Sequence, residues 1–173
     1  MITFKSDLTE TELMHGMRQH YRTISGQKWL VPLCGIFLIF LFGGMIIEDP
    51  SDTSNYFFCA VGVVTLLIPV WQVPLIKRNI RRMPNLGKTI TWAMDEKTLS
   101  GQAEGFEFSQ DWSNVYSATI TADGFLVYPQ KNLFYWLPSH GFASVEDLRQ
   151  ASEIINRNVK NTKLVKEPSY NKV

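Results

Sequence analysis

The sequence predicts a membrane α-helical hairpin plus an α+β cytoplasmic domain, in which a small antiparallel barrel or bent sheet carries a C-terminal helix. Three observations predict it. Two apolar runs, 29–47 (WLVPLCGIFLIFLFGGMII) and 56–76 (YFFCAVGVVTLLIPVWQVPLI), each reach the ~20 residues that a helix needs to cross hydrocarbon. After residue 88 the pattern changes to a period of two, in six short segments separated by Gly, Asp and Asn, the mark of antiparallel strands. A last stretch, after Ser144, repeats its apolar residues every three or four positions, as one amphipathic helix does.

Residues 1–28 form the first piece. Ile2 to Lys5 predict a short strand, and a turn follows at Ser6 and Asp7. Thr9 and Glu12 have the spacing of a capping box, which starts a helix near Glu10 that runs to about Arg22. Leu13, Met17, Tyr21 and Ile24 share one stripe of that helix, to be laid on the inner membrane interface or on the C-terminal domain. His15 and His20 stand five apart and point away from each other, whereas two metal ligands on one helical face want i and i+4. Ile2, Thr3 and Phe4 could cover the unpaired edge that six strands leave, as a seventh strand.

The hairpin occupies 29–76, with its outer loop at 48–55 (EDPSDTSN). Glu48, Asp49 and Asp52 are the charges of that loop, while Lys77, Arg78, Arg81, Arg82 and Lys88 crowd the basic linker 77–88. Basic residues stay inside, so both termini are assigned to the cytoplasm of a bacterial cell. Trp29, Trp71, Lys77, Arg78, Arg81 and Arg82 are the residues expected to fix membrane orientation. The first run is too long, and starts too far into the chain, for a cleaved signal. Gly35, Gly43, Gly44 and Gly62 offer close-packing positions, with Gly43 and Gly44 expected against the second helix. A hairpin separates Cys34 from Cys59 in depth by about 16 Å at the helical rise, beyond the ~7 Å that a disulfide tolerates between Cα atoms. Neither run contains Asp, Glu, Lys, Arg or His, so a proton or ion relay has no titratable station.

The domain spans 89–160. Ile90, Trp92 and Met94 share one face of its first strand, and Phe106 with Phe108 one face of its third. The last two strands are apolar on both faces and need cover on both. Tyr128, Phe134 and Trp136 are accordingly candidates for a partner surface. Ser144 and Asp147 make a second capping box, followed by the stripe Val145, Leu148, Ala151, Ile155 and Val159. Residues 161–173 have no pattern and are expected to fray.

No constellation of catalytic chemistry stands out: there is no phosphate-binding glycine loop, nucleophile elbow or paired-cysteine metal site. No catalytic, cofactor-binding or metal-binding residue is therefore assigned, and no cofactor is expected. His140 is a lone loop histidine, and Glu104, Glu107 and Asp111 read as a solvated hairpin face. A net charge of +1 argues against a nucleic-acid binder. The partners expected are the lipid bilayer and a protein, with oligomers through the membrane helices.

The succession GKTITWAM, DWSNV, LFYWLPSHGFAS and VEDLRQ, behind a helical N-terminus and two apolar runs, resembles the YcxB-like bacterial membrane proteins. The resemblance implies a pleckstrin-homology-like C-terminal domain and no particular activity. Ser139, His140 and Gly141 stand where many members carry basic residues, which departs from an anion-binding loop. The expected function is a non-enzymatic protein presenting that domain for protein interaction or assembly at the inner membrane. The alternatives are an immunity or regulatory protein acting through its spans and an enzyme at the inner leaflet.

Overall fold

A computed structural model describes residues 1–23, 27–84, 86–131, 133–166 and 168, with the backbone alone at 27–29 and 69. Two compact units emerge, Met1–Thr23 with Met83–Val173, and Ile24–Arg82. Strand β1 (Ile2–Asp7) and helix α1 (Glu10–Thr23) precede the helices α2 (Gln27–Glu48) and α3 (Thr53–Arg81). Strands β2 (Thr89–Met94), β3 (Thr98–Ala103), β4 (Phe106–Asp111), β5 (Ser117–Thr121), β6 (Gly124–Gln130) and β7 (Leu133–Pro138) then lead to α4 (Val145–Asn158) and β8 (Thr162–Leu164).

The first unit holds two four-stranded sheets, β1-β2-β3-β4 and β7-β6-β5-β8. The seventh strand exists: β1 pairs antiparallel with β2, placing Ile2 opposite Met94 and Phe4 opposite Trp92. Its alternation puts Ile2, Phe4 and Ser6 inward and Lys5 and Asp7 outward, as a half-buried strand requires. Phe4 stacks on Phe142 at 4.1 Å between ring centroids, and the Trp92 indole N–H donates to Ser6 Oγ at 2.7 Å. An eighth strand, β8, pairs parallel with β5, so residues 162–164 do not fray as expected.

Helix α4 starts as predicted, with Ser144 Oγ accepting from the Asp147 N–H at 3.0 Å. It buries Leu148, Ala151, Ile154 and Ile155 with the inner residues Phe125, Val127 and Leu137 of β6 and β7. Val145, expected on that stripe, is exposed. The leucine and isoleucine side chains, fully buried, each contribute about 1.5–3 kcal/mol by transfer from water.

The expected barrel is corrected by this topology. Among the described residues β4 and β7 share no ladder; the sheets meet through side chains, with Phe108 stacked on Tyr135 at 4.7 Å. The fold of this unit is α+β with two sheets and no closed barrel.

The expected pair of membrane spans is corrected as well. Among the described residues one helical segment, Leu30–Glu48, is long and apolar enough by itself to cross a membrane. The second run lies in a helix bent by 46° between Thr53–Ile68 and Val70–Arg81, two halves that reach that measure only together. The bend falls where the sequence has Pro69, which lacks the N–H of a helical bond. The second half continues through Lys77, Arg78 and Arg81, residues expected in a linker.

In this second unit α2 and α3 pack at Gly35 and Gly62. A Cβ on Gly35 would stand 2.9 Å from the Gly62 carbonyl oxygen, and one on Gly62 3.0 Å from that of Gly35. Gly43 and Gly44, expected at this contact, have nothing within 4 Å of an added Cβ. Phe42 stacks on Phe58 at 4.7 Å. The loop is capped at Asp52, whose carboxylate accepts from the Ser54 N–H at 3.0 Å. Cys34 and Cys59 are both free.

Candidate functional site

In the first unit, β6 is buried on both faces: Phe125 and Val127 face the main core, while Leu126 and Tyr128 join Trp136 and Phe134 in a second cluster. Helix α1 covers this second cluster, and it does so with an unexpected face. The residues it buries are Gly16, Gln19 and Thr23, not the stripe Leu13, Met17 and Tyr21; Ile24 lies outside the described residues. Gly16 lets the helix backbone approach Trp136, because an added Cβ would stand 2.8 Å from the indole Cγ.

The polar side chains flanking Gly16 tie α1 to the sheet. Glu12 accepts from the Trp136 indole N–H at 3.3 Å, and its other oxygen lies 3.6 Å from His140 Nε2. Thr9 Oγ1 accepts from the Glu12 N–H at 3.2 Å, but Glu12 turns its carboxylate to the sheet and does not close the capping box. One turn on, His15 Nε2 lies 3.2 Å from Asp123 Oδ2, which also accepts from the Gln19 amide. A further turn on, His20 Nδ1 and Tyr128 Oη share a hydrogen bond of 2.8 Å, and the imidazole stacks on Phe134 at 4.8 Å. Burial pushes the His20 pKa down and the Tyr128 pKa up. Lys163 Nζ closes the seam by donating to the Thr23 carbonyl at 3.0 Å, a cation at a helix C-terminus. All three histidines of the chain therefore lie along this seam.

Beside the seam is a cavity of about 260 Å³. Its walls are dominated by the aromatic residues Trp92, Phe106, Phe108, Phe134, Tyr135 and Trp136. Aliphatic residues including Leu13, Leu86 and Ile90 complete them, and the polar residues among the described lining are Ser6, Asp7 and Glu12. Phe108 of β4 stacks on Tyr135 of β7 here, and Phe106 packs on Phe108; β4 and β7 share no ladder among the described residues. Burial pushes the Tyr135 pKa up.

The sequence-predicted residues fall in two places. Tyr128 and Trp136, proposed for a partner surface, are 7% and 8% exposed beneath α1, and Phe134 packs beside them. Phe134 and Trp136 also line the cavity. In the second unit, Trp71, Lys77 and Arg78 are exposed on α3, Arg81 ends it and Arg82 caps it; the Trp29 side chain lies outside the described residues. His140 Nε2 lies 3.6 Å from Glu12, and Glu107 and Asp111 lie on the exposed side of β4. Among the described residues no group of three His, Cys, Asp or Glu side chains could hold a metal ion.

Sequence reasoning missed Glu12, His15, Gln19 and Asp123 as a set. The available signal was Gly16, a residue that costs a helix interior about 1 kcal/mol unless close packing uses it.

A family model described as YcxB-like protein matches residues 95–155, a stretch from the β2–β3 turn into α4. No curated protein matches the chain, and no solved structure does.

Proposed function

We propose that this protein is a membrane-attached, non-enzymatic interaction module, holding the unit formed by residues 1–23 and 83–173 at the inner surface of a bacterial plasma membrane. The observation that carries the proposal is the pairing of β1 with β2 across the helical segment 24–82. Both ends of the segment that carries the apolar helix α2 meet in one folded unit, which keeps that unit beside the membrane that α2 enters. Helix α2 presents Phe37, Phe40 and Ile47 at 64%, 78% and 83% exposure, an apolar surface that lipid satisfies. Removal of α2 as a cleaved signal would take β1 and α1 with it, opening the sheet edge and the Trp136 cluster. The polar groups of the seam are engaged with one another, which leaves recognition to the apolar cavity and its rim.

Phe106, 37% exposed at that rim, is the position from which to test it. A photo-crosslinking residue at Phe106 in native membranes should give a discrete adduct with one protein, abolished by Phe108→Asp. Extraction of the protein by alkaline carbonate, or crosslinks to lipid alone, would count against the proposal.

A further inference from the structure

We propose that the cavity between β4 and β7 is a binding site for an organic cation with apolar substituents, of the alkylated-ammonium class. The inference concerns a small ligand and does not depend on a protein partner.

Three features of the lining select that chemistry. Its apolar walls favour a ligand with an apolar body, since contact with them releases water from both. Six of its residues are aromatic, and the face of an aromatic ring is the negative end of its quadrupole, which attracts a cation and repels an anion. Among the described residues that line it the charged ones, Glu12 and Asp7, are both acids; Glu12 holds the Trp136 N–H at the wall, and Asp7 lies on the exposed side of β1. His140 lies 3.6 Å from Glu12, and Lys88 donates to the Glu104 carbonyl at 2.7 Å. Asp7 accepts from Thr89 Oγ1 at 2.6 Å, a hydrogen bond that leaves its negative charge in place. An anion would meet the Glu12 carboxylate and six aromatic rings here.

The substituents matter as much as the charge. A bare ammonium is strongly hydrated and would lose that water against aromatic walls. Alkylation spreads the charge over a larger, weakly hydrated surface that rests on rings without needing acceptors for N–H groups. A carboxylate at the wall and rings around it suit such a cation.

The test uses the full chain in a maltoside detergent, because a phosphocholine detergent carries the proposed ligand. Three probes of one shape and different charge are compared: choline, 3,3-dimethylbutan-1-ol and 3,3-dimethylbutanoate. The indole N–H signals of Trp92 and Trp136 report binding by NMR, since both rings line the cavity and both N–H groups are hydrogen-bonded at it, to Ser6 and Glu12. Choline should shift both signals saturably, with an affinity at least about tenfold above that of the alcohol, and the acid should shift neither. Glu12→Gln should weaken choline binding by about tenfold and leave the alcohol unchanged. The Trp112 indole, bonded to the Asp95 carbonyl at 2.9 Å, monitors folding. Should its signal move in Glu12→Gln, Phe108→Leu replaces that variant and should weaken choline several-fold more than the alcohol. Equal binding of choline and the alcohol, or no saturable shift with choline, overturns the assignment.

Discussion

Gly16 of α1 lies against Trp136 of β7 so closely that a Cβ at this position would stand 2.8 Å from Cγ and 2.9 Å from Cβ of the indole side chain. The Trp136 Cβ is fixed by the backbone, so no rotamer change moves it aside. Gly16→Ala should therefore destabilise the first unit, although alanine is worth about 1 kcal/mol more than glycine to a helix. Overpacking of this kind costs about 1–3 kcal/mol, so the expected net effect is a loss of up to about 2 kcal/mol. A thermal melt of the full chain, followed by tryptophan fluorescence, measures it; a rise in Tm would show that α1 does not rest on Trp136.

The same seam sets a pH dependence through His20. Burial lowers its pKa, so between the folded and unfolded values the unfolded chain binds more protons than the folded one. The His20 contribution is thus fully present above about pH 6.5 and is lost as pH falls through the folded pKa. His20→Gln keeps a hydrogen-bonding partner for Tyr128 and removes the titration. Stability of the native chain should fall more steeply than that of His20→Gln between pH 7.5 and 5, and parallel curves would remove His20 from the account.

Much of this architecture is legible in the chain because its signals are local. The six strands from Thr89 to Pro138 announce themselves by alternation and by turn residues such as Gly105, whose φ of 75° suits glycine. The Ser144 cap and the Leu148–Ile155 stripe do the same for α4. The cover of the second apolar face was not legible. Helix α1 hides its polar side, using Gly16, Gln19 and Thr23, because its acceptors and donors find partners in Trp136, Asp123 and Tyr128. Periodicity ranks Leu13, Met17 and Tyr21 above them and cannot see those partners, which lie more than a hundred residues away. Two spans were overread for a related reason: counting apolar residues from Tyr56 to Ile76 takes no account of the bend between Ile68 and Val70.

Within the second unit, the contact between α2 and α3 should be sensitive to one glycine and indifferent to another. A Cβ at Gly35 meets the Gly62 carbonyl at 2.9 Å and the Leu66 N at 3.0 Å, both backbone atoms that cannot turn away. Gly43 has open space around it. Gly35→Val should force the helices apart and widen the distance between spin labels at Phe42 and Phe58, now stacked at 4.7 Å. Gly43→Val should leave that distance unchanged. Equal responses would place the helix contact elsewhere.

Phe4 offers the sharpest test of the link between the two ends of the folded unit. It is 3% exposed, stacks on Phe142 at 4.1 Å and faces Trp92 at 6.1 Å, so it joins the first strand to the residues just before α4. Phe4→Ala leaves a cavity among those rings and should cost about 3–5 kcal/mol, a large part of the stability of a domain this size. Deletion of residues 1–7 should do more, since it also strips β2 of its pairing from Thr89 to Met94. Limited proteolysis of the full chain in detergent distinguishes the outcomes. In the native chain the region 83–166 should resist cleavage, whereas in the deletion it should be cut within β2 and β3; equal resistance would mean that the domain folds without its N-terminal strand.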